Sequence, residues 1–96
     1  MSELNEDIIE ILLQVQMDDL KDAKMLYNYA EELKDEHETI LADKMLTRAK
    51  TRLQQYHDCK QFLLERMHHE HKNLWNVYSK YFDKEASDLK NKLEKL

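Results

Sequence analysis

The chain has 96 residues, 42% of them hydrophobic and 36% charged, with a net charge of −5, one cysteine, and neither glycine nor proline. That length holds one domain and not two. The lone Cys59 excludes an internal disulfide and fits a reducing, cytoplasmic setting; the missing glycine and proline disfavour strand hairpins and phosphate-cradling loops, leaving helices joined by short polar connections.

The first helix is predicted over residues 5–34, capped by Ser2 or Asn5, with Glu6 and Asp7 set favourably against its N-terminal dipole. Its inward seam is Ile9, Leu13, Gln16, Leu20, Ala23, Tyr27 and Ala30, flanked by Leu12, Leu26 and Leu33. Between Ile8 and Val15 the apolar residues exceed what one stripe needs, so this end is expected to bury two sides. The same run follows an acidic leader and is too short to span a bilayer, which speaks against a signal peptide or membrane helix.

A connection is expected near Lys34–Thr39, where Asp35 and Glu38 have capping-box spacing and Thr39 offers another cap. The second helix, residues 39–67, carries the most regular seam in the chain: Ala42, Leu46, Ala49, Leu53, Tyr56, Lys60, Leu63 and Met67. Together the two predict an antiparallel hairpin. Residues 1–38 hold twelve acids and three bases (−9) and residues 39–96 eight acids and twelve bases (+4), so the first helix attracts the rest of the chain. That basic excess is small and has an internal partner, which argues against nucleic-acid binding.

The stretch 68–73 reads as a break with Asn73 as the next cap, although Met67, His71 and Leu74 could carry the helical period through it. A third helix over residues 73–95 follows, with Leu74, Trp75, Tyr78, Phe82, Ala86, Leu89, Leu93 and Leu96 at helical spacing. Its aromatic set reads as core, and Lys90, Lys92 and Lys95 as a solvated helix end.

Candidate chemistry is sparse. His68 and His71 are three apart and could share a face, but a structural zinc site wants about four ligands. Cys59 and His57 are two apart and point away from each other on a helix, so no nucleophile and base pair is set up. With no nucleotide-binding or triad pattern, the reading is a non-enzyme without cofactors. More informative are the polar residues in or beside the seams: Gln16, Asp19, Arg52, Gln55 and Lys60 lie where a bundle interior holds metals or register-setting contacts.

Those positions fall within a resemblance. Asp18-Asp19-Leu20-Lys21-Asp22-Ala23-Lys24, Lys34-Asp35-Glu36, Leu41-Ala42-Asp43-Lys44 and Leu53-Gln54-Gln55-Tyr56-His57-Asp58-Cys59 resemble small ferritin-like proteins, distant relatives of rubrerythrin, encoded by Firmicutes and their phages. The likeness spans about residues 9–65, with an echo at Ala86-Ser87-Asp88-Leu89-Lys90. It implies a ferritin-like hairpin plus a third helix, with a Glu on the first helix and a Glu-x-x-His on the second binding iron. Aligned on that pattern, Asp19 stands at the first ligand, Arg52 at the second Glu and Gln55 at the His. A permanently cationic arginine and a poorly ligating glutamine imply that the metal site is lost; the His-rich stretch also shortens the family's Gly/Pro-containing linker.

These readings lead to an all-α, ferritin-like, self-associating structural or interaction protein, expected as a homodimer because three helices leave one side of a four-helix arrangement open. A metal-binding, iron-handling protein and a phage- or host-encoded protein-binding module are the alternatives.

Overall fold

A computed structural model of the chain describes residues 5–66 and 69–95, with the side chains of 69–78 and 81 outside the description. Three helices run α1 (Glu6–Asp35), α2 (Thr39–Arg66) and α3 (His69–Glu94), and the described residues include no strand. The fold is an all-α helical bundle about 50 Å long. None of these helices is long and apolar enough to cross a membrane.

α1 starts where its cap dictates. Asn5 is extended, and its side-chain oxygen accepts a hydrogen bond from the Ile8 amide at 2.9 Å, with Glu6 and Asp7 in the first turn. Its end differs from expectation. Asp35 is the last helical residue and not part of a capping box; the chain leaves α1 through a Schellman turn in which the His37 amide donates to Lys34 O at 3.0 Å and the Glu38 amide to Leu33 O at 2.8 Å. His37 takes the left-handed position, with φ 65°, that glycine usually fills. Thr39 is already inside α2; Glu38 precedes it, and its carbonyl accepts from the Ala42 amide at 3.0 Å.

α1 and α2 pack antiparallel along nearly their whole length, and the second helix buries the residues its seam predicts: Ala42, Leu46, Ala49, Leu53, Tyr56 and Leu63. The interhelical links Arg52–Asp19 and Cys59–Leu12 set the register. That register brings Ala23 level with Ala49 and Ala30 level with Ala42, all four fully buried. Small residues on both sides let the two backbones approach closely at the turn end of the hairpin. At the open end a smaller cluster forms from Ile9 and Leu63 with Leu12, Leu13, Cys59 and Leu64.

α3 lies along one side of this hairpin. Ala86, Leu89 and Leu93 enter the main core, with Phe82 packed against it, and Ser79 is buried. The helix begins at His69, so Asn73 lies within it and does not cap it; nothing in 69–73 is a glycine or proline that would halt the helix, and only residues 67 and 68 separate α2 from α3 in the description. Met67, His68 and Leu96 lie outside the described residues, as do the side chains of His69, His71, Trp75, Tyr78 and Tyr81.

Candidate functional site: a polar band across the hairpin

Two polar groups cross the middle of the hairpin, one on each side. On the side away from α3, helical period places Asp19 and Asp22 of α1 opposite Arg48, Arg52 and Gln55 of α2. Asp19 is nearly buried, at 8% exposure, and one of its carboxylate oxygens lies 3.6 Å from an Arg52 guanidinium nitrogen; a nitrogen of the same guanidinium donates to Gln55 Oε1 at 3.2 Å. Burial raises the Asp19 carboxyl above its ordinary value, Arg52 opposes this, and Asp22 and Asp18 reinforce it. The three residues singled out by sequence therefore stand together, and Arg52 and Gln55 form part of the wall of an open groove of about 450 Å³ that Asp22, Met25, Leu26, Tyr29 and Arg48 also line, with Asp19 buried behind it.

The pair is not dry. Arg52 keeps 47% of its side-chain surface exposed, so water screens the ion pair and limits its contribution. Nor does the set suit a metal. Its one buried carboxylate already faces a guanidinium, Gln55 offers a neutral amide oxygen, and the described residues include no group of three or more His, Cys, Asp or Glu able to hold an ion. No chemical step follows from it.

On the α3 side, Asp83 holds two residues of α2 at once: Tyr56 Oη donates to one carboxylate oxygen at 3.0 Å and Lys60 Nζ to the other at 2.7 Å. Burial and the bond to Asp83 push the Tyr56 phenol far above its ordinary value, so it remains a donor. Lys60 stood out in the sequence as a polar residue of an apolar seam, at a position where a bundle interior holds metals or register-setting contacts; Asp83 carried no such mark. Lys24 of α1 extends the attachment to Glu85 of α3 at 3.0 Å. This network fastens α3 to both helices of the hairpin.

Two further residues resolve simply. The Cys59 thiol donates to Leu12 O at 3.3 Å, and burial followed by the charge of Asp19 raises it above its ordinary value, so it is a poor nucleophile. Gln16 is fully buried, and neither its amide nitrogen nor its oxygen has a hydrogen-bond partner among the described residues. Comparison with known proteins finds no matching family model, curated protein or solved structure.

Proposed function

We propose that this chain is a non-catalytic, self-associating helical interaction protein, built on a ferritin-like hairpin whose di-metal site has been replaced by an ion pair. One observation carries the reading: where the family resemblance puts ligands, the Arg52 guanidinium faces Asp19, while the surface around it exposes Ile8, Ile11, Val15, Met25 and Tyr29 from α1 and Leu41 and Phe62 from α2. A cation has replaced the metal's charge, and an apolar face stands ready for a protein. Two measurements on the purified chain test it. Light scattering at micromolar concentration is expected to give a dimer mass that Ile11→Asp reduces to the monomer, and elemental analysis to find no stoichiometric iron, manganese or zinc. A monomer unaffected by Ile11→Asp removes the self-association; stoichiometric metal turns the reading to the iron-handling alternative.

A further inference from the structure

Resting on that self-association, the geometry points to one arrangement of the two copies: a two-fold axis parallel to the helices, with α1 of each copy lying along α2 of the other and α3 outermost. The surface concerned is the side of the α1–α2 hairpin opposite α3. Asp22, Met25 and Tyr29 line its groove with Arg48 and Arg52, and the helical period carries the same face to Ile8, Ile11 and Val15 at one end and to Leu41 and Phe62 on α2. Apart from Met17 and Ile40, every exposed large apolar side chain among the described residues lies on it.

A face packed against its own copy can place the two-fold axis across the helices or along them. An axis across them lays α1 on α1 and α2 on α2. Asp18 and Asp22, near the middle of α1, then meet the same acids, and Arg48 and Arg52 meet the same arginines. An axis along them lays α1 antiparallel on the partner's α2 without any shift in level, because a two-fold rotation includes no translation. The intrachain register then carries over. Asp22 comes level with the partner's Arg48, Ile11 with the partner's Phe62, and Tyr29 with the partner's Leu41. Asp22 and Arg48 are both exposed, and neither forms an ion pair among the described residues. Opposite charges therefore meet at the centre and apolar residues at both ends, whereas the other axis brings together like charges.

The test exploits that each contact occurs twice in such a dimer. By sedimentation equilibrium, Asp22→Arg and Arg48→Asp are each expected to weaken the homodimer roughly tenfold or more, and an equimolar mixture of the two variants to recover it, since both contacts are then complementary. Circular dichroism checks that helicity is unchanged at these exposed positions. In a Cys59→Ser background, oxidising Ile11→Cys together with Phe62→Cys is expected to give a disulfide-linked dimer, and Ile11→Cys with Tyr29→Cys none. A dimer indifferent to both charge reversals, or one cross-linked by the second cysteine pair, overturns the arrangement and leaves self-association standing. A monomeric wild-type chain overturns both.

Discussion

Gln16 occupies the hairpin interior with a desolvated amide whose donor and acceptor are both unsatisfied among the described residues. An apolar side chain of similar length avoids that penalty, so Gln16→Leu is expected to stabilise the fold by about 1–2 kcal/mol, read as a higher urea midpoint at unchanged slope. Arg52 and Asp19 present the opposite case. Because Arg52 is half exposed, a double-mutant cycle with alanine at both positions is expected to return a coupling of about 0.5–1 kcal/mol, well below the roughly 3 kcal/mol that a dry pair would give. His57 supplies a pH dependence. Burial lowers its imidazole below the ordinary 6.5, with Lys60 and then Lys90 acting the same way against Asp83 and Asp58. Above that ordinary value the ring is neutral in both states and the stability is complete; as the pH falls through the folded value, the unfolded chain holds a proton that the folded one resists, and stability is lost. Urea midpoints between about pH 7.5 and 5.5 should fall more steeply for the wild type than for His57→Gln.

At the scale of elements, the α1–α2 turn is the strained point. A non-glycine residue with φ 65° costs about 1 kcal/mol relative to glycine, so His37→Gly is expected to raise stability by about 0.5–1 kcal/mol even though glycine also loosens the unfolded chain. A thermal melt reads the difference. Much of this level was legible in the sequence. The α2 seam anticipated the residues that α2 buries, and Asn5 with its acidic first turn was a visible start signal. Asp35 misled, because capping-box spacing also occurs where a helix ends in a Schellman turn, and the left-handed His37 has no sequence mark beyond the lack of glycine nearby. The start of α3 misled for a related reason: the His-rich run is polar, but polarity alone does not stop a helix, and α3 begins at His69.

The whole molecule is two attachments of unequal kind. The hairpin is held by two apolar clusters, a main one and a smaller one at its open end, while among the described residues α3 joins it through Ala86, Leu89 and Leu93 and through Asp83 and Glu85, which take polar bonds from α2 and α1. The exposure of Arg52 followed from which side α3 takes, a choice that helical periodicity leaves open; the meeting of Asp19 with Arg52 followed from a register that the alanine seams could suggest but not establish. That register has a consequence for time as well as for place. The level pair Ala30 and Ala42 lies beside a three-residue connection, so its loop closes at little entropic cost, whereas Ile9 and Leu63 can meet only after the length between them is ordered. Folding should therefore begin at the turn and proceed toward the open end. In stopped-flow measurements, Ala42→Gly is expected mainly to slow refolding, and Leu63→Ala mainly to accelerate unfolding.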